Sequence, residues 1–126
     1  GVCISDLDFE KGDHASTFGG NNLACTAALA TINYIEDKNL MPKAVKVGNY
    51  LKNKLKKLNK FKEVRQKGLM IAAELKEPKA KDIVEKSLEK GLIINNTDDN
   101  TLRFLPPLIV KKKEVDKAIN ILGEIL

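Results

Sequence analysis

The chain is poor in most residues on which specialised chemistry depends. Its 126 residues include two cysteines, one histidine, no tryptophan and only 5% aromatic side chains. Cys3 and Cys25 are too few for a disulfide framework, and His14 alone gives no ligand spacing for a structural zinc, so no metal site is expected. His14 also has no recognisable third partner with which to serve Ser16 as a triad base, which argues against a hydrolase of that kind. No run approaches the ~18 apolar residues of a membrane span, and the opening GVCISDLDFE lacks the basic start and apolar stretch of a secretory signal. The expectation is a soluble protein of a reducing, cytoplasmic compartment with no membrane partner.

Arginine is scarce too. Lys and Arg number 22 against 17 Asp and Glu, a net charge of +5, yet arginine occurs only at Arg65 and Arg103. Base readout leans on arginine forks and single-strand binding on aromatic platforms, so no nucleic-acid partner is expected. The run Lys52, Lys54, Lys56, Lys57, Lys60 and Lys62, interleaved with Leu51, Leu55 and Leu58, reads as the solvated face of an amphipathic helix.

With 43% hydrophobic and 31% charged residues, what is present suits a globular chain with a single core. Residues 1–20 hold no sustained period and read as a loop or the tail of something upstream. From Asn21 an alanine- and leucine-rich helix follows, with Asn22 as N-cap and Asn39 at its end; apolar on nearly every side in its first half, it is expected to be enclosed by other protein. Pro42 suits the first turn of a second helix with the stripe Val47, Leu51, Leu55 and Leu58. Phe61 to Arg65 and Gly68 to Leu75 read as strands joined at Gln66-Lys67-Gly68, and Ala80 to Leu88 as a helix stopped by Gly91. Leu92 to Asn95 and Thr101 to Leu105 form a hairpin closed by Pro106-Pro107, and a last helix starts near Lys112 or Lys113. The fold class is α+β, with helices on one face of a largely antiparallel sheet.

Three places could carry chemistry. In Gly12-Asp13-His14-Ala15-Ser16-Thr17-Phe18-Gly19-Gly20-Asn21, two hydroxyls and two glycines precede a helix; the segment is either a capping turn or a cradle for a phosphate or carboxylate. Arg103 stands alone in an apolar strand, either gripping a carboxylate with its planar fork or pointing to solvent from an edge strand. Val64-Arg65-Gln66-Lys67-Gly68-Leu69-Met70 reads as a structural turn, with Gly68 permitting the bend.

The first of these blocks, continued through Asn22-Leu23-Ala24-Cys25, resembles the "G-x-H-x-S-T-F-G-G-N-P-L-A" stretch of class III pyridoxal-phosphate aminotransferases, most closely that of the acetylornithine aminotransferases. Val64 to Met70 is similar to their "V-R-G-x-G-L-M" and Leu102-Arg103-Phe104-Leu105-Pro106-Pro107-Leu108 to their "x-R-x-x-P-P-L", in the same order. Asn22 replaces the usual proline and Gln66 the usual glycine. The resemblance implies the C-terminal portion of a fold-type I, homodimeric enzyme. Residues 1–40 would be the end of the large cofactor domain with an interdomain helix, and 41–126 the small α+β domain. It implies pyridoxal 5'-phosphate as cofactor, reached by Thr17, and an amino acid and a 2-oxo acid as substrates, with Ser16 at the acetylornithine site and Arg103 on the α-carboxylate. The implied reaction moves the δ-amino group of N-acetylornithine to 2-oxoglutarate in arginine biosynthesis. The family's Schiff-base lysine lies upstream of the first motif, so no catalytic residue is expected here and the chain alone should not turn over. Ornithine, 4-aminobutyrate or succinylornithine aminotransferase, or a non-catalytic interaction domain of the same fold, are the alternatives.

Overall fold

The computed structural model describes residues 10–13 and 15–126, so Cys3 and His14, and the first half of the expected leading loop, lie outside the described residues. The chain divides into two compact units, Gly1–Lys38 and Asn39–Leu126.

The first unit is built around one helix, α1 (Asn22–Asp37). Its N-cap is Asn21, one residue earlier than expected, because the Asn21 side chain accepts the Ala24 N–H at 3.0 Å while its amide donates to the Phe18 carbonyl. Within this chain α1 has no buried residue, and Leu23 is 81% exposed.

The second unit holds α2 (Leu40–Lys57), β1 (Phe61–Lys67), β2 (Met70–Leu75), α3 (Ala80–Glu89), β3 (Asn95–Asn96), β4 (Thr101–Phe104) and α4 (Lys112–Ile125). The strands form one sheet in the order β1-β2-β4-β3, every pair antiparallel. The α+β reading holds.

Strand alternation sorts the side chains onto two faces. Val64, Ile71, Ala73, Leu75, Leu102 and Phe104 are buried and form one core with Leu51 and Leu55 of α2, Ala80 and Ile83 of α3, and Val115, Ile119 and Leu122 of α4. Leu55, Ile71, Leu102 and Leu122 are wholly removed from solvent, and truncating any such leucine to alanine costs about 2–5 kcal/mol. The opposite face, carrying Glu63, Arg65, Met70 and Arg103, has no such cover within the unit.

Helix ends follow from local chemistry. Gly91 takes φ +77 and closes α3 with paired bonds, Leu92 N–H to Ser87 O and Gly91 N–H to Leu88 O, a glycine-dependent helix end. Glu114 accepts the Lys111 N–H at 2.7 Å at the start of α4. On the flank of the α2–α4 contact, Tyr50 donates to Asp116 at 2.7 Å and Lys54 pairs with the same carboxylate oxygen at 2.8 Å. Those two partners, Lys54 first, hold the Asp116 carboxyl below its ordinary range.

Several boundaries move. The expected strand from Leu92 to Asn95 shrinks to Asn95–Asn96, because the Leu92 N–H is spent on the end of α3 while Leu92 and Ile94 turn toward the core. The first hairpin turns at Gly68-Leu69 rather than Gln66-Lys67-Gly68, with Lys67 still paired to Met70. Gly68 takes φ +58 as the first of the two turn residues, where a glycine is favoured. α2 begins at Leu40, with Asn39 in the left-handed region at φ 48, and β4 ends at Phe104, one residue short of the expected Leu105.

Candidate functional site

The segment ahead of α1 is shaped by its two glycines. The Ser16 carbonyl accepts the Gly19 N–H at 3.4 Å, and a Cβ on Gly19 would come within 2.9 Å of the Ser16 Cβ, so the turn closes only around a residue without a side chain. Gly20 then takes φ +71 and delivers the chain to the Asn21 cap. Ser16 and Thr17 are both exposed, and neither hydroxyl has a hydrogen-bond partner among the described residues. The first turn of α1 carries no acidic residue, so no fixed negative charge opposes an anion there. Asn21 caps the helix, as the capping-turn reading requires, and the hydroxyls of Ser16 and Thr17 stand ahead of it.

The second group lies on the open face of the sheet. Register places Arg65 beside Ala72, Ala72 beside Arg103, and Arg103 beside Asn95, one row across all four strands. β4 is an interior strand between β2 and β3, so Arg103 does not sit on a sheet edge. It is half-buried, and its Nε–H donates to the Asn95 Oδ1 at 3.2 Å. Among the described residues its terminal nitrogens have no other partner. A guanidinium held through Nε alone keeps both terminal nitrogens available for end-on, two-pronged hydrogen bonding to a carboxylate.

Arg65, in the same row, is occupied. Its Nη1 contacts Glu63 at 2.6 Å and Glu74 at 3.3 Å. Those contacts, Glu63 first, hold its guanidinium still further toward the charged form. Glu74 also takes Lys62 at 2.9 Å, and Lys62 first and Arg65 second keep its carboxyl below the ordinary glutamate range. The structural reading of Val64 to Met70 extends to the helix behind it: a Cβ on Gly48 of α2 would lie 1.9 Å from the Gly68 carbonyl oxygen, while Gln66 Nε2 donates to that oxygen at 3.0 Å.

Ser16 and Thr17 therefore share one segment of the first unit, and Arg103 stands in the second. In the sequence Asn95 reads only as the last residue of the strand that starts at Leu92. The signal that could have singled it out is its register opposite Arg103, which depends on the length of the β3–β4 turn. Among the described residues no His, Cys, Asp and Glu cluster could hold a metal ion, and no helix is long and apolar enough to cross a membrane.

Residues 6–126 match the sequence profile of the family described as Aminotransferase class-III. The chain is 52% identical over 118 residues to an acetylornithine aminotransferase of Aquifex aeolicus, covering 94% of this chain and 30% of that protein. It is 44% identical to an ornithine aminotransferase of Oceanobacillus iheyensis, with 94% and 30% covered. Among solved structures, an acetylornithine aminotransferase from Elizabethkingia anophelis superposes with a TM-score of 0.83 at 30% identity, over 93% of this chain and 33% of the other. The chain thus spans about 30% of the length of the curated relatives it matches.

Proposed function

Because the chain belongs to the class-III aminotransferase family, we propose that it is the C-terminal part of an enzyme that transfers the δ-amino group of N-acetylornithine to 2-oxoglutarate. The family's cofactor is pyridoxal 5'-phosphate, which supplies the electron sink for moving an amino group. The residues present fit a share of its site: Thr17 offers the phosphate a hydroxyl with no partner among the described residues, on a two-glycine turn with no acid in the helix turn that follows. Ser16, one residue before, serves the substrate side. Arg103 holds the α-carboxylate and so sets the distance from that carboxylate to the reacting carbon. The residues that carry out proton transfer at that carbon belong to the remainder of the enzyme.

The same reading makes residues 1–40 the end of the large domain with the interdomain helix and 41–126 the small domain. It makes the full enzyme a cytoplasmic homodimer of the arginine-biosynthetic route. The exposed apolar side chains of α1 would then be covered by that larger assembly.

One observation carries the proposal: Arg103, on the sheet face opposite the core, is held through Nε by the Asn95 amide and pairs with no carboxylate among the described residues. In the full-length enzyme, Arg103→Ala removes charge-assisted hydrogen bonds of about 1.5–3 kcal/mol each, so the KM for the amino donor should rise by at least roughly tenfold. Thr17→Ala should loosen cofactor retention in dialysis without lowering Tm. A KM for acetylornithine unmoved by Arg103→Ala would remove the assignment of Arg103, and kcat/KM higher for ornithine than for acetylornithine would move the enzyme to the ornithine branch.

A further inference from the structure

An arginine that grips a carboxylate needs two things at once: a fixed guanidinium plane and an undiminished charge. A carboxylate partner would fix the plane but neutralise the charge, whereas an amide oxygen fixes it and leaves the charge intact. Resting on the reading of Arg103 above, we propose that Asn95 is the positioning residue of that grip. By accepting the Nε–H it commits Arg103 to an end-on approach through both terminal nitrogens.

The fold invests in placing Asn95 there. β3 is only Asn95–Asn96, yet it pairs Asn95 with Arg103 in register. The turn that sets this register is anchored inside and outside. Within it, Thr97 N–H reaches the Thr101 carbonyl at 3.1 Å, Asn100 N–H reaches Asp98 Oδ1 at 2.8 Å, and Asn96 Nδ2 reaches the Asp98 carbonyl at 3.1 Å. From outside, Leu75 N–H donates to the Asn100 carbonyl at 2.7 Å and Ala80 N–H to the Asp99 carbonyl at 3.0 Å, tying the turn to the end of β2 and the start of α3. A slip of one residue would carry Asn95 to the opposite face of the sheet and strand the Arg103 Nε–H.

The test is a calorimetric titration of the full-length enzyme with glutarate, a dicarboxylate with no group to transfer, for the wild type, Asn95→Ala, Asn95→Asp and Arg103→Ala. Steady-state kinetics with the amino donor run in parallel. Arg103→Ala should lose glutarate binding. Asn95→Ala should weaken it by roughly three- to tenfold, the scale of one hydrogen bond, with donor KM rising by the same factor and kcat held within about twofold. Asn95→Asp should bind more weakly still, because its carboxylate neutralises the fork and repels the ligand. Wild-type affinity in both Asn95 variants, with binding lost in Arg103→Ala, would overturn the role of Asn95 alone. So would Asn95→Asp binding as tightly as Asn95→Ala. Wild-type affinity in Arg103→Ala would overturn the reading of Arg103 and the role of Asn95 with it.

Discussion

The two arginines of this chain stand in one row on the same open sheet face, separated by Ala72, and they are used in opposite ways. Arg65 pairs with Glu63 and Glu74, with Lys62 extending the network, so its charge is answered locally. Arg103 is held by a neutral amide, which leaves its charge unanswered. Identical side chains on adjacent parts of one surface thus differ in their partner, carboxylate for Arg65 and amide for Arg103. That is why residue type alone left Arg103 open between two readings.

The largest way to break the comparison is to dismantle the Arg65 end from behind. Gly48 lets α2 lie against the Gly68 carbonyl, and a methyl group at 1.9 Å from that oxygen has nowhere to go. Gly48→Ala should force helix and hairpin apart and destabilise by about 3 kcal/mol, lowering the thermal midpoint of the 126-residue chain on the order of 10 °C. An unchanged midpoint in differential scanning calorimetry would mean that the hairpin turn carries little of the unit's packing.

Next in size is the exchange of roles between the arginines themselves. In the full-length enzyme, Arg65→Ala should shift Tm by a few degrees at most, since exposed pairs are worth roughly 0–1 kcal/mol. It should leave the donor KM within about twofold, because Glu63 and Glu74 already answer the Arg65 charge through Nη1. Arg103→Ala should do the reverse. A tenfold rise in KM from Arg65→Ala would show that both arginines meet substrate and would end the distinction.

How much of this could be read from the sequence depends on how local the cause is. The order of helices and strands follows from apolar periodicity and from turn residues such as Gly68 and Gly91, whose backbone angles are their own. The helix start at Asn21 moved by one position because Asn21 and Asn22 are equally good caps by type, and only the bond to Ala24 separates them. The strand from Leu92 failed because its first N–H is claimed by the end of α3, a competition that residue preference does not express. Among the candidate residues, Ser16, Thr17 and Arg103 stand out by type and by resemblance. Asn95 and Glu74 did not, because they matter through cross-strand register, and register depends on turns whose length a pattern does not fix; Glu63 meets Arg65 along β1 itself, two residues away.

The smallest effect sharpens the comparison through pH. Glu74 has its carboxyl held below the ordinary glutamate range by Lys62 first and Arg65 second. A carboxylate whose folded-state pKa is depressed contributes stability that is present above its unfolded value and is lost as pH falls through the folded one. Glu74→Gln should therefore lower Tm slightly near neutral pH, and the gap to the wild type should close as pH drops below roughly 4, through and beneath the carboxylate range. Added salt should narrow the gap as well, because the network is exposed. Asn95→Gln, its neutral counterpart beside Arg103, should show no such pH-dependent gap over the same interval, since an amide does not titrate. A gap for Glu74→Gln that stayed constant down to pH 3 would show that Glu74 acts by packing alone, and the Arg65 end would no longer owe its character to charge.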